Sequence, residues 1–458
     1  MVPTSKYVEG VVGQPQSFLP TQAQNQIERT VSSMVFRGLF KYDIYGATIP
    51  DLADTWTVSD DGLIYTIKLK DNQYWTNGKK ITADDLIYTS YKSSDLSGVA
   101  TDKIDNLTVR YTLPNKYAPF LSLLTIDVLP ADSIEKSNHL MPVSSADFRV
   151  VRVKKRGSFI SNVTLVTNSD AYSIKKIVFR FYPNNEELRT AAKLGEIDGF
   201  MSDTNCCSDL DSFTDYKFPI QGIYYSLYFN LRSEKYQDLS LRQKLEDSLP
   251  IEDLISDKGI KVQGPISRSV FTDRALNFDN YDPTLSAALD GTIVEIKVPD
   301  EKNNLKLVED IKNVWKDKLG LTVVIKKVPS EDFVDKVITP RDFEILFYGQ
   351  EVGRDPDRYV LWHSTQSEAP GLNITGFSHI RADRALEEGR NELDNSKRVI
   401  HYNEFQKVIN EQIPAIFLYH PYEHYYVSKR ITGIGQKYTF TYGDRFLDFA
   451  NWKRVGTN

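Results

Sequence analysis

The chain has 458 residues, of which 41% are hydrophobic and 26% charged, and these values are ordinary for a globular protein. Its length predicts about three domains, and nothing in it approaches the ~18 consecutive apolar residues of a transmembrane helix. The net charge of -6 gives no reason to expect a nucleic-acid partner.

The N-terminus and the cysteines bear on how the protein is processed. The first ten residues lack the basic and apolar regions of a signal peptide and contain no cysteine for a lipid anchor, so we expect a mature domain behind an added or retained methionine. Cys206 and Cys207 are adjacent, and ring strain counts against a bridge between neighbours. We expect them neither to staple the fold nor to bind metal, and their oxidation state stays open.

The first third of the chain predicts short strands separated by turns. Asp61-Gly62 separates two alternating runs, 54–58 and 63–69, which predicts a hairpin. Thr82 and Asp85 have the spacing of a capping box, which predicts that a helix begins there. This part of the chain therefore has a mixed α+β pattern.

The middle of the chain contains a dense basic run. Five of the eight residues from Arg149 to Arg156 are basic, with valines between them, and we interpret them as the solvated face of a strand rather than a docking patch. Residues 186–194 have a helical pattern, which Gly195 ends.

A strand–helix–strand unit is predicted between residues 292 and 328. Strands are expected at 292–298 and 321–328, and the apolar residues between them have helical spacing up to Gly320. This order implies a partly parallel sheet. A longer helix is predicted at 396–412, and since no linker is evident, we expect intercalated domains.

One motif could carry catalysis. His420, Glu423 and His424 spell an inverted zinc-protease pattern, which needs both histidines on one helical turn. β-forming residues flank them, and in a strand residues four apart are separated by ~13 Å. We therefore interpret them as strand residues and predict no metal site, no cofactor and no catalytic residues; phosphate-loop and nucleophile motifs are not found either.

Three blocks near the N-terminus resemble the opening of the family 5 extracellular solute-binding proteins, which include the oligopeptide-, dipeptide- and nickel-binding components of ABC importers. Further matches continue along nearly the whole chain. The blocks and matches are 15–20, 35–43, 49–56, 61–86, 195–198, 227–230, 241–245, 355–357, 371–373 and 414–418.

The resemblance implies an α/β (mixed α+β), two-lobed periplasmic-binding-protein-like fold of class II, with one lobe split into two subdomains. Lobe one would combine residues 1–44, 150–262 and 436–458, with 45–149 packed on it as a second subdomain. Lobe two would be 263–435.

The same resemblance implies a carrier, not an enzyme. Peptide would bind in a cleft between the lobes, hinge closure would bury it, and the closed form would be read by an ABC permease. We expect an extracytoplasmic monomer, either periplasmic or a cell-surface lipoprotein. The alternatives are another solute such as an oligosaccharide or a metal chelate, a surface sensor, and a zinc hydrolase using His420, Glu423 and His424.

Ligand-binding candidates follow from the resemblance. In peptide-binding relatives an Asp in the segment before an Asp-Pro pair holds the peptide ammonium, and the corresponding stretch here is 348–355, in which Glu351 is the first candidate and Asp355 the second. The other candidates are the amides of Gln24, Asn25 and Gln26, the aromatic residues Tyr348 and Trp362, and Gln350 and Asn373.

Overall fold

A computed structural model describes residues 6–132, 138–202, 206–267, 280–285, 289, 291–435 and 437–455. The chain divides into two compact units: unit 1 contains residues 1–218 and 423–458, and unit 2 contains residues 219–422. The divisions fall earlier in the chain than the lobe boundaries expected at 262 and 435. The three-part division stays a prediction.

Unit 1 contains the first strands and helices of the chain. Its strands are β1 (Lys6–Val12), β2 (Phe40–Tyr42), β3 (Thr48–Pro50), β4 (Ala53–Val58), β5 (Ile64–Leu69), β6 (Ala100–Lys103), β7 (Thr108–Thr112), β8 (Arg149–Arg156), β9 (Phe159–Val166), β10 (Lys176–Tyr182), β11 (Gly199–Ser202) and β12 (Phe213–Pro219). Its helices are α1 (Gln26–Val35), α2 (Ala83–Lys92), α3 (Phe120–Leu123) and α4 (Asn185–Lys193).

Unit 2 has six strands among the described residues, the last of which continues into unit 1. They are β13 (Ile223–Phe229), β14 (Gly259–Lys261), β15 (Ile293–Pro299), β16 (Thr322–Val328), β17 (Ile345–Glu351) and β18 (Ala415–Ser428). Its helices are α5 (Glu234–Gln237), α6 (Leu239–Asp247), α7 (Ile251–Ile255), α8 (Lys302–Leu319), α9 (Tyr359–Trp362), α10 (Ile380–Asn391) and α11 (Asn395–Gln412). After β18 the chain continues in unit 1 with the short strands β19 (Ile431–Thr432) and β20 (Lys453–Arg454).

The sheets of unit 1 confirm the local predictions. One sheet has the order β18-β11-β1-β10-β9-β8, and a second, antiparallel sheet has the order β4-β5-β7-β6. The predicted hairpin is β4–β5, with Gly62 at a φ of 71° in its turn. The predicted capping box of Thr82 and Asp85 begins α2. The basic run forms β8, with its charged side chains exposed.

The sheet of unit 2 contains the predicted strand–helix–strand unit. Its order is β16-β15-β17-β13-β18, and β15 runs parallel to both β16 and β17. The connecting helix α8 buries Leu307, Ile311 and Trp315 against the sheet core and ends at Gly320, whose φ is 70°. Since that φ is left-handed, glycine ends the helix without strain. The predicted helix at 396–412 is α11.

Each unit has its own buried core. In unit 1 an aromatic group of Tyr7, Phe446, Phe449 and Trp452 packs edge to face or tilted, with ring centroids 4.9 to 6.4 Å apart. Unit 2 has one apolar cluster on each side of its sheet, since alternate residues of β13 belong to different clusters. Among the described residues, every helix is too short or too polar to cross a bilayer.

Candidate functional site

The acidic segment that was predicted to bind ligand begins at the end of β17. Gly349 lies opposite Tyr225 in the antiparallel β13–β17 pair. A β-carbon at Gly349 would lie 2.9 Å from the Tyr225 ring. That ring already stacks against Phe347 and Tyr419, with centroid distances of 5.5 and 5.0 Å. Glycine therefore allows the aromatic strands to pair closely just before the acidic segment.

Glu351 is the last residue of β17 and is exposed to solvent. Its carboxylate forms no ion pair within the described ranges of the chain. The Gln350 amide nitrogen donates to the Glu351 backbone carbonyl at 2.8 Å. The half-buried ring of Tyr348 stacks on Phe333 with centroids 6.0 Å apart. Burial raises the pKa of Tyr348, and the negative charge of Glu351 raises it further.

Asp355 forms a buried ion pair. The Arg398 guanidinium donates to its two carboxylate oxygens at 3.0 and 2.8 Å, and the two side chains are 12% and 2% exposed. One of these oxygens also accepts the backbone N–H of Asp357 at 2.9 Å. The Asp357 carboxylate in turn accepts Arg390 at 2.9 Å. The structure therefore argues against Asp355 as an ammonium ligand, because a protein cation already occupies its carboxylate.

Arg358 holds the loop after β17 from the inside. Its guanidinium is buried and donates to the carbonyl oxygens of Pro265, Gly353, Asp355 and Asp357, at distances of 2.6 to 3.1 Å. Burial lowers the pKa of Arg358. Sequence reasoning did not find this residue. Its position directly after the Asp-Pro-Asp turn was the available signal.

Trp362 and Asn373, two of the predicted ligand-binding residues, lie in the interior of unit 2. Trp362 is 2% exposed and packs near Tyr228 and Phe417, with centroid distances of 6.3 and 5.9 Å. Asn373 is 0% exposed, and its amide donates to the carbonyl of Phe377 at 2.8 Å and accepts the N–H of the same residue at 3.2 Å. Direct ligand contact by these two residues stays a prediction, which their burial does not favour.

In unit 1 the predicted amides lie at the start of α1. Asn25 caps the helix by accepting the N–H of Glu28 at 3.0 Å. The buried Glu28 carboxylate accepts four backbone N–H groups, from residues 16, 17, 24 and 25, at 2.5 to 3.3 Å. Burial by itself raises the pKa of Glu28, but these hydrogen bonds outweigh it and lower the pKa below its usual 4.5. Gln24 is exposed on the loop that this carboxylate holds together, and Gln26 is exposed as the first residue of α1.

The histidine motif lies in strand β18, as predicted. His420 Nδ1 lies 2.7 Å from the carbonyl oxygen of Ile223, and His424 Nδ1 lies 2.8 Å from a carboxylate oxygen of Asp215. Each histidine is therefore oriented by its own partner. The part of the chain that the structure describes has no cluster of three His, Cys, Asp or Glu side chains suited to a metal ion.

Cys206 and Cys207 are joined by a disulfide, although ring strain counted against such a bridge. Burial and the nearby Asp215 charge raise the pKa of Tyr426, and the backbone N–H groups of both cysteines oppose that rise by hydrogen bonding to its phenol. Because the bridge joins neighbouring residues, it ties no distant parts of the chain together.

Comparison with known proteins gives a consistent result. The model of the bacterial extracellular solute-binding proteins, family 5 Middle, matches residues 47–371. The oligopeptide-binding protein AppA of Bacillus subtilis (strain 168) is 22% identical, over 93% of this chain and 88% of the relative.

Two solved structures extend that comparison. The structure of Bacillus subtilis AppA in complex with a nonapeptide has a TM-score of 0.72 at 20% identity and covers 99% of each chain. NikZ from Campylobacter jejuni, in complex with Ni(L-His), has a TM-score of 0.76 at 21% identity and covers 99% of this chain and 100% of its own. At these identities the solved structures show a shared fold.

Proposed function

This chain belongs to the bacterial extracellular solute-binding proteins of family 5, and on that premise we propose that it is the peptide receptor of an ABC importer. It captures peptides outside the cytoplasm as a monomer without a cofactor, and it delivers them to the permease subunits. The relative AppA supports the peptide assignment, since it is an oligopeptide-binding protein whose structure contains a nonapeptide. No bond is made or broken in this work, so the protein acts as a carrier and not as an enzyme.

One observation carries the substrate assignment: the carboxylate of Glu351 is exposed and without a protein cation among the described residues, whereas the next two acids are paired. Asp355 is bound by Arg398, and Asp357 is bound by Arg390. A carboxylate whose charge is not already neutralised is the group that a peptide ammonium needs. We assign ammonium binding to Glu351 and loop anchoring to the other two acids.

The surroundings of Glu351 suit an ammonium group. The ring of Tyr348 is half-buried, and the charge of Glu351 adds to the rise that burial causes in the pKa of its phenol. An ammonium beside them donates a charge-assisted hydrogen bond to the carboxylate and gains an attractive contact with the face of the ring. Gln350, next to the acid, supplies an amide that can donate to a peptide carbonyl.

The exposed amides of unit 1 are assigned to the peptide main chain. Gln24 and Gln26 each offer a donor and an acceptor, which matches the alternating N–H and C=O groups of an extended peptide. Asn25 contributes through the helix cap, since its side-chain oxygen accepts the N–H of Glu28. Such contacts read the backbone and tolerate varied ligand side chains.

A metal chelate is the second candidate, because the similar fold of NikZ is known with Ni(L-His). The amino group of a metal-bound histidine is occupied by the metal, so the unpaired acid at Glu351 would then have no ammonium to bind. The zinc hydrolase reading is not favoured, because β18 is extended through both histidines.

Thermal unfolding with a ligand panel tests the proposal. Unmodified tri- to pentapeptides, their N-acetylated forms, oligosaccharides and nickel–histidine are each added to the full chain. Ligand at a hundred times its dissociation constant adds ~2.7 kcal/mol to the free energy of unfolding. For a protein of this size we expect the midpoint to rise by about 2 °C or more.

A rise with free-amine peptides that is larger than the rise with their acetylated forms supports the proposal. A rise with sugar or nickel–histidine alone overturns the peptide assignment and leaves the family membership intact.

A further inference from the structure

The β8–β9 hairpin has an unusual charge for this protein. Residues 149–166 contain five basic side chains and no acidic one, in a chain whose net charge is -6. All five lie on β8, which we call the basic strand. They are Arg149, Arg152, Lys154, Lys155 and Arg156.

The basic strand lies at the edge of its sheet. It ends the strand order of the unit 1 sheet and, among the described residues, pairs with β9 alone. The register shifts between Val150 and Arg152 and again between Lys154 and Lys155, so the regular pairing is interrupted twice. Where the pairing is interrupted, the strict alternation of a strand is relaxed and neighbouring basic side chains can face solvent together.

The basic side chains are all exposed, and none of the five forms an ion pair with a residue that the structure describes. A further lysine, Lys176 on β10, lies in line with the basic strand, because Arg149 and Lys176 are both paired with Val166 on the intervening strand β9. The hairpin therefore presents an uncompensated positive strip to solvent.

Edge protection accounts for only part of this pattern. Charged side chains on an edge strand prevent other strands from pairing with it, but either sign of charge serves that purpose. Five charges of one sign with no acid in the hairpin exceed what edge protection needs. An uncompensated strip of cations attracts a surface that carries repeated negative charges.

We propose that the basic strand docks on the anionic phospholipid headgroups of a membrane surface. An eight-residue strand extends over ~26 Å, so its cations can meet several headgroup phosphates together. The attraction between a cation and the headgroup charges falls off within ~8 Å at physiological ionic strength. When the strand lies on the membrane surface, its exposed lysine and arginine side chains are within that distance of the headgroups. An importer receptor works beside such a surface, and in that one respect the inference rests on the proposed function.

Vesicle sedimentation tests this inference. The full chain is mixed with vesicles of equimolar phosphatidylglycerol and phosphatidylcholine, or of phosphatidylcholine alone, at low and physiological salt. We expect binding to the anionic vesicles only, weakened by salt. Each basic residue near such a surface strengthens binding about fivefold. The affinity of the triple variant Arg152→Glu, Lys154→Glu and Lys155→Glu for anionic vesicles should therefore fall by at least about a hundredfold.

The charge-reversed strand keeps its edge protection, because glutamate is also charged. A matched variant makes the same charge change at three exposed lysines of unit 2, with the substitutions Lys316→Glu, Lys326→Glu and Lys327→Glu. Its affinity for anionic vesicles should fall by about tenfold or less. Equal binding of the wild type to both vesicle types overturns the inference, as do equal losses in the two variants. Absence of binding to the anionic vesicles also overturns it, and an acidic protein would then be the candidate partner of the strip. Peptide-induced thermal shifts are measured on the same variants, so a failure here is distinguishable from a failure of the proposed function.

Discussion

Arg398 holds Asp355 through two hydrogen bonds, of 3.0 and 2.8 Å, between side chains that are both largely buried. The two residues lie 43 positions apart in the chain, so the pair attaches the loop after β17 to helix α11. This contact gives Asp355 a buried protein counterion, and a structural role follows for this residue of the predicted ligand-binding segment if the loss of the pair destabilises the fold.

The first prediction follows from this pair. Asp355→Asn leaves the Arg398 charge buried without its counterion, so the free energy of unfolding at neutral pH should fall by about 3 kcal/mol. Urea denaturation measures the loss. Glu404→Gln, which removes an ion pair to Arg381 between side chains 41% and 46% exposed, should cost less than about 1 kcal/mol. Equal costs for the two variants would refute a structural role for Asp355.

The second prediction concerns the loop that carries Gln24. Glu28→Gln removes the charge that four backbone N–H groups share, and should lower the free energy of unfolding at pH 7 by about 1 to 3 kcal/mol. Because the pKa of Glu28 is lowered in the folded state, its charge stabilises the fold above the unfolded pKa of about 4.5. That contribution disappears as the pH falls through the lower, folded pKa.

Denaturation of both proteins at several pH values between 3 and 7 checks the sign, with about one pH unit between points. The difference between wild type and Glu28→Gln should shrink as the pH falls below about 4.5. A difference that stays constant over this range would contradict the account of the carboxylate.

The third prediction concerns the adjacent cysteines. In guanidinium without a reductant, iodoacetamide should leave Cys206 and Cys207 unmodified, because both sulfurs are in the disulfide. After treatment with a dithiol reductant, both should be alkylated. Intact-mass spectrometry distinguishes the two states, and two adducts without reduction would show that the bridge is not formed.

Local patterns in the sequence predicted the elements of the fold well. The β4–β5 hairpin, the capping box of α2 and the β15–α8–β16 unit depend on residues close together in the chain, so spacing alone identified them. Whether an individual side chain is buried, paired or exposed depends on residues that are distant in the sequence. Trp362 packs near Phe417, and Asp355 meets Arg398. No local pattern predicts such contacts. For that reason Trp362 was expected to bind ligand although it is buried, and Asp355 although its carboxylate is paired.

The amides of α1 show the same limit from another side. Asn25 has a residue type suited both to ligand binding and to helix capping, and the spacing to Glu28 alone would have identified the cap. What the spacing could not show is that Glu28 also gathers the N–H groups of residues 16 and 17.

The central claim is that the Glu351 carboxylate binds the ammonium of a peptide. Calorimetric titration of wild type and Glu351→Gln with a free-amine tripeptide and with its N-acetylated form tests it directly. Since a hydrogen bond to a charged group contributes about 1.5 to 3 kcal/mol, Glu351→Gln should weaken the free-amine peptide by about ten- to a hundredfold. The affinity for the acetylated peptide should fall by less than about threefold in the same variant. Equal losses for both peptides would contradict the assignment.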